Sequence, residues 1–437
     1  MAHQPTRRQF LEQSTQASVL AAAACSGFHA FADERPEVVR LGLIGCGGIM
    51  GHHLQGLVRR GEAVSIAWLC DVDPRQIEQK AAMLTEFQTP PKRTGRFEEV
   101  LADPDVDACI IATPHHWHAP IALAAMQAGK DVYVEKPCSH VYNEGLVLAA
   151  AAVKYGRVFQ HGTQMRSSPV TAQARKLLDE GIIGQIKAAR AWTAETRSVV
   201  PPVPDTDPPP GVDYDRWLGP APKRPFNPLR FHGSWRMFRD YGNGEIGDDG
   251  IHDLDMAVWG LGVETLPRQI TARGGRMLLD GHASEYPDNM HAIYEYPDGR
   301  VLIYENYPFT PYGLHGFDNG NVFYGTEGYM VFSRRGAFSV FLGPKNTPGP
   351  TEPRELRGQT GYAEHMANFL EAVRHRTPTH ASAQVAHLSS ALVHLGEIAL
   401  RTQGRLAFDP QQQRFLDCDE ANQMLTKRYR EPYGLPV

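Results

Sequence analysis

Three groups of residues in this 437-residue chain have types and spacings suited to chemistry. Gly45-Cys46-Gly47-Gly48-Ile49-Met50-Gly51 sits between an apolar run and a helical pattern. Gly45 permits a tight turn there, and Gly47 lets backbone approach a pyrophosphate held at the positive end of the helix. Met50 stands where the usual fingerprint has its third glycine. Asp71 closes the next apolar run, where an acid accepts hydrogen bonds from a ribose 2′-hydroxyl and repels a 2′-phosphate, favouring NAD over NADP. It also opens the turn Asp71-Val72-Asp73-Pro74, which is a purely structural alternative. Further on, Asp248 and His252 lie four apart, so a helix projects both from one face. Ile251, Leu254, Val258 and Leu261 form a different, core-facing stripe. His115, His116 and His118 raise the question of a metal, but no carboxylate or cysteine shares a ligand spacing with them, so none is expected.

These groups need elements to hold them. Val38–Ile44, Val64–Cys70, Ala108–Ala112 and Val132–Val134 read as buried strands. Pro74–Leu84 and Pro120–Ala128 have helical spacing, with Gly129 as a stop. The alternation predicts a Rossmann domain over 33–160, a doubly wound parallel sheet. A second α/β domain is expected over 161–437. In it, a helix at Ala172–Glu180 leads through Gly181 and Gly184 into a strand at Ile186–Thr196. An arm over 197–234 follows, in which ten of the 33 prolines fall between Pro201 and Pro228. That density forbids regular elements, while Tyr214, Trp217, Phe226, Phe231 and Trp235 argue that the arm packs on the body. A helix at Asp248–Leu261 and strands at His291–Tyr296, Val301–Asn306, Asn321–Tyr324 and Tyr329–Phe332, with Asp298-Gly299 and Glu327-Gly328 between them, predict a largely antiparallel sheet. Helices at Ala363–His375 and Ala383–Thr402 end the pattern. His365, His387 and His394 sit in them as core or interface histidines.

Composition excludes several classes. The chain is 42% hydrophobic and 21% charged, with a net charge of −5. It has no basic block, which argues against nucleic acid or an anionic membrane as partner. No apolar run approaches the ~20 residues of a membrane span. The six cysteines form no Cys-x-x-Cys pair. At the start, Thr6-Arg7-Arg8-Gln9-Phe10-Leu11, a weakly apolar Ala17–Ala24 and Ala30-Phe31-Ala32 resemble a twin-arginine signal occupying 1–32. The expectation is export to the periplasm or another extracytoplasmic space. Alternatives are a lipid attached at Cys25, after Ala22-Ala23-Ala24, and an amphipathic first helix.

Ile111-Ala112-Thr113-Pro114-His115-His116-Trp117-His118 and Tyr133-Val134-Glu135-Lys136-Pro137 each follow a strand, and Gly244-Glu245-Ile246-Gly247-Asp248 leads to His252. With the glycine turn, Trp217-Leu218-Gly219-Pro220 and the ending over Tyr429–Pro436, the chain resembles the oxidoreductase family named after glucose–fructose oxidoreductase, inositol dehydrogenase and the rhizopine catabolism protein (Gfo/Idh/MocA). The resemblance implies a Rossmann domain plus an α/β domain whose open, largely antiparallel sheet mediates homo-oligomers. It also implies NAD(P) and a sugar or cyclitol substrate. Gly45, Cys46, Gly47, Gly48, Ile49, Asp71, Thr113, Pro114, His118, Glu135 and Lys136 would then surround the cofactor, with Trp117 as a wall. Lys136 would polarise the substrate hydroxyl, His252 act as general acid/base, and Asp248 bind a neighbouring hydroxyl or orient the site; Gln164 and Arg166 would face the substrate, with a solvated Arg166 as the alternative. A desolvated lysine as base is the reverse assignment, and both stay open here. The leading expectation is a sugar or polyol oxidoreductase with tightly held NAD, because an exported enzyme lacks a free NAD pool. A glycosidase-like enzyme working by transient oxidation, elimination and re-reduction is the alternative; a sugar-binding protein with a degenerate site is a third reading.

Overall fold

The structure is a computed structural model that describes residues 37–84, 89–276, 280–310 and 312–435. The twin-arginine segment and Cys25 lie outside the described residues.

Six short strands form the first sheet: β1 (Val39–Ile44), β2 (Val64–Cys70), β3 (Lys92–Thr94), β4 (Ala108–Ile111), β5 (Asp131–Val134) and β6 (Phe159–His161). Their order is β3-β2-β1-β4-β5-β6, and every pairing is parallel. The order reverses between β1 and β4, and the carboxyl ends of strands flanking such a switch point open a crevice for ligands. Leu41, Leu43, Ile110 and Val134 are fully buried, as expected of strands covered by helices on both faces. The helix after β4 runs His115–Gln127, starting before the expected Pro120. Tertiary contact holds that early turn: Trp117 Nε1 donates to the carbonyls of Arg216 and Trp217, each at 3.1 Å.

The second sheet has ten strands: β7 (Ile186–Thr193), β8 (Gln269–Gly275), β9 (Asn289–Glu295), β10 (Val301–Asn306), β11 (Asn319–Gly325), β12 (Gly328–Ser333), β13 (Ala337–Leu342), β14 (Thr347–Thr351), β15 (Arg405–Asp409) and β16 (Arg414–Phe415). All neighbours are antiparallel except β7 and β10. Strands β8 to β10 alternate buried and more exposed residues, so one face is core and the other is open. The helices Gly250–Leu261 and Ala383–Arg401 supply Leu254, Ala257, Leu392 and Leu395 to the same core as Ala292, Tyr294 and Leu302 of the sheet.

Two expectations need correction. The arm is not devoid of regular structure: a short helix spans Tyr214–Leu218, capped by Asp213. It falls in the proline-free stretch from Gly211 to Gly219, where nothing removes the helical N–H donors. Its aromatics form a small core of their own around Trp217, Phe226, Phe231, Trp235 and Tyr241. The expected helix over Asp248–Leu261 is broken: one helix ends at Asp248, and a second starts at Gly250.

Candidate functional site

A cavity of about 400 Å³ runs along the carboxyl ends of β1, β2, β4 and β5 and under the arm. At one end, Gly45 has φ of 87°, and a Cβ there would stand 2.7 Å from backbone atoms of Ala112 and Thr113. Only glycine lets β1 turn this close to the end of β4. Gly47 and Gly48, by contrast, have no atom within 4 Å of where a Cβ would stand, although both line the cavity with Ile49. Gly47 caps the helix Gly48–Val58 without a side-chain bond, which leaves first-turn N–H groups available to an anion. Asp71 lines the cavity and also orders the turn: its carboxylate accepts from Cys46 N at 2.7 Å and Asp73 N at 2.9 Å. Burial pushes this carboxyl above the usual range, opposed by those two backbone donors.

Two residues expected at the nucleotide differ in detail. The Cys46 side chain is buried and its Sγ faces the Cys70 carbonyl, so this residue contributes only its backbone. Met50 is fully buried among Leu54, Leu57 and Leu69; its side chain is part of the core and takes no cavity space.

The other end of the cavity is lined by Glu135, Lys136, Gln164, Asp249, His252, Arg334 and Tyr362. Lys136 Nζ donates to Asp248 Oδ1 at 2.9 Å and to the Asp248 carbonyl. His252 is 7% exposed and its Nδ1 has no protein partner. Burial, then the Lys136 charge, holds its pKa well below the ordinary histidine value, so the imidazole is neutral at pH 7. Lys136 and His252, distant in sequence, therefore meet here. Glu135 lines the same wall with its carboxylate 2.9 Å from His53 Nε2.

Of the two roles expected of Asp248, the structure favours orienting the site over binding a hydroxyl. The helix break at Asp249 turns it off the His252 face, and its Oδ1 accepts from both Lys136 Nζ and Arg236 Nε, the latter at 2.8 Å. Burial alone would raise this carboxyl, but the two cations outweigh it and hold it well below the usual carboxylate range. It positions the lysine. Asp249 takes the place on the cavity wall and accepts from Arg334 at 3.0 Å. Arg166 is also reassigned. Its guanidinium pairs with Asp255 at 2.8 and 3.0 Å and its side chain is 10% exposed, so it ties the turn after β6 to the helix Gly250–Leu261. Gln164, two residues earlier, does line the cavity.

Thr113, Pro114 and His118 line the middle. The His118 ring spans 2.7 Å contacts to the carbonyls of Thr113 and Pro137, fixing the loop that carries Lys136. His115 touches Asn243, and His116 lies 2.9 Å from the Trp217 carbonyl. Among the described residues no group of three or more His, Cys, Asp or Glu is arranged to hold a metal.

Sequence reasoning missed Asp249, Arg334, Tyr362 and the arm's Arg216, His232 and Arg236 as wall residues. Only the acidic pair Asp248-Asp249 carried a signal, since either acid could have faced the site. The arm crosses the nucleotide end through Asp213 N to Val72 O at 3.0 Å and His232 Nε2 to Asp73 at 2.7 Å. The residues fit a dinucleotide. The space at Gly47 and Gly48 admits a pyrophosphate, and Thr113 Oγ1 and His252 Nδ1 are buried wall atoms left without protein partners.

Comparisons with known proteins agree with this geometry. Residues 39–163 match the oxidoreductase family with an NAD-binding Rossmann fold, and residues 176–308 and 350–435 match the α/β domain that follows it in that family. The chain is 27% identical over 293 residues to levoglucosan dehydrogenase of Pseudarthrobacter phenanthrenivorans, covering 59% of this chain and 67% of that protein. It is 25% identical over 345 residues to scyllo-inositol 2-dehydrogenase (NAD(+)) of Bacillus subtilis, covering 78% and 88%. The fold resembles the WlbA dehydrogenase from Bordetella pertussis, solved with NADH and UDP-GlcNAcA, with a TM-score of 0.63 at 20% identity over 85% of this chain and 99% of that one. With its first sheet and most of its second domain matched in chain order, this chain belongs to the Gfo/Idh/MocA family of NAD-binding oxidoreductases.

Proposed function

We propose that this chain transfers hydride between a secondary alcohol of a sugar or cyclitol and an NAD that stays bound through the cycle. The observation that carries the reading is the meeting of Lys136 and His252 at one end of a cavity whose other end is a glycine-walled groove. Relatives that act on levoglucosan and on scyllo-inositol support the substrate class.

Bound nicotinamide would supply the hydride acceptor. Gly45, Gly47, Gly48, Ile49 and Asp71 would hold the nucleotide, and Thr113, Pro114, His118 and Glu135 its middle. Lys136, held by Asp248, would hydrogen-bond the reacting hydroxyl and stabilise the charge that develops on its oxygen. His252, kept neutral by burial, would take the hydroxyl proton. Gln164, Asp249 and Arg334 would contact the remaining hydroxyls, each of which needs a partner once desolvated.

The arm, packed over the nucleotide end, supports a cofactor that does not exchange freely. Export by the twin-arginine route and assembly of copies through the open face of the ten-stranded sheet, where Ile293 and Tyr324 are exposed at 40% and 39%, complete the reading. The test is to purify the full chain, measure retained nicotinamide, and follow its reduction with a panel of sugars and cyclitols. Retained nicotinamide reduced by some members is expected. A chain that holds none and reduces none defeats the reading. Phenol released from aryl glycosides without net NADH would replace it with redox-neutral cleavage.

A further inference from the structure

Beyond the reactive end lies a second cavity of about 320 Å³, lined by Arg197, Ser198, Arg236, Glu245, Asp248 and Asn306, among others. Arg236 lines both cavities, and Asp248 in the second touches Lys136 in the first at 2.9 Å. The wall between them is therefore one layer of side chains. Both volumes fall in the ~300–1,000 Å³ range of small-molecule sites. A nucleotide held at the glycine end would leave the Lys136–His252 end of the first cavity to the substrate.

The chemistry of the second cavity is specific. Its charges are already paired: Arg197 with Glu245 at 2.8 Å, and Arg236 with Asp248 at 2.8 Å. Asp288 lines it too, so two arginines face three acids and an anionic ligand is disfavoured; donors and acceptors of several kinds remain, as hydroxyl groups require. Asn306, the last residue of β10, is 3% exposed, and its Oδ1 has no partner in the protein. An unsatisfied buried acceptor is costly, and a ligand donor would relieve it. Met237 and Pro308 add apolar surface for the C–H face of a ring.

We infer that this cavity is a second sugar subsite, so that the substrate is a glycoside or oligosaccharide, with one ring oxidised beside Lys136 and the neighbouring ring seated against Asn306. The inference rests on the oxidoreductase reading above and narrows its substrate class. Two adjoining rings share one bridging oxygen, which would cross at Arg236, the residue common to both cavities and itself 35% exposed.

The test uses the full chain with its retained NAD and a panel of aldohexoses beside their α- and β-linked disaccharides. For at least one linkage the disaccharide should be oxidised with kcat/KM about tenfold above its monosaccharide, the worth of one or two hydrogen bonds. Ser198→Trp, at an exposed position on the cavity rim, and Asn306→Ala should each collapse that ratio toward one. Thermal melting would check that the variants fold, and calorimetric Kd values should show the same change. Equal kcat/KM for both sizes in the parent chain overturns the inference, as does a preference that survives both substitutions in folded protein. Silence of every sugar, small or large, is a different failure. It removes the oxidoreductase reading itself and the subsite with it.

Discussion

The two ends of the long cavity are built by opposite means. The nucleotide end is backbone: a glycine turn, uncapped helical N–H groups and an acid that holds the turn together within one strand–helix–strand unit. The reactive end is side chain: Lys136, Asp248 and Arg236 in one charged chain, and Asp249, Arg334 and Arg197 in another. A backbone site depends on what small residues leave empty. A side-chain site depends on pairing, and its members act through one another.

Substitution should separate the two. The largest effect is expected at His252. His252→Asn should lower kcat by ~10²–10⁴-fold, the usual worth of a positioned acid or base, while nicotinamide retained per chain stays at the parent level. Equal loss of both would mean that the two ends are not independent. Next comes the turn. Gly45→Ala forces a side chain into a left-handed conformation against Ala112, at ~1–3 kcal/mol of strain, so both Tm and retained nicotinamide should fall. Gly47→Ala meets nothing in the protein, so the Tm of NAD-free protein should hold while nicotinamide retention is lost. If Tm falls as far in Gly47→Ala as in Gly45→Ala, the empty space is structural and the backbone end is not a binding site.

The smallest effect, taken per group and per pH unit, comes from pH. Burial lowers the pKa of His116, His161 and His394 to about 3, and of His365 and His387 to about 4. An unfolded chain binds these protons near ~6.5, so below that pH the unfolded state carries more of them and stability falls as pH falls. Each histidine contributes up to ~1.4 kcal/mol per pH unit between ~6.5 and its folded value. Tm by calorimetry should therefore decline on acidification below about pH 6.5. A Tm indifferent to pH across that window would show that these histidines are not buried neutral.

Much of the nucleotide end could be read directly from the chain. β2 has the expected bounds, β1, β4 and β5 lie within a residue of them, and Gly45 and Asp71 stand where their spacing put them. The pattern is local there: strand, turn and helix are consecutive, and each residue's role follows from its neighbours. The reactive end was legible only in its two main members. The shared face of Asp248 and His252 failed because four-residue spacing holds only within an unbroken helix, and Arg166 was misplaced because a surface-looking arginine gives no sign of a buried partner 89 positions away. Strands β8 and β13 to β16 and the helix Tyr142–Tyr155 also went unread, since their burial is set by partners elsewhere in the chain.

The order of strands and helices, the glycine turn, the acid after β2 and the lysine and histidine were determined by the sequence, because backbone conformation and hydrophobic periodicity act over a few residues. Which acid faces the cavity, which arginines pair, and that the proline-rich arm roofs the nucleotide end were decided only by the tertiary structure. Those outcomes depend on charges and apolar surfaces brought together from distant segments, and the cost of leaving any of them buried and unpaired exists only after the chain has closed around them.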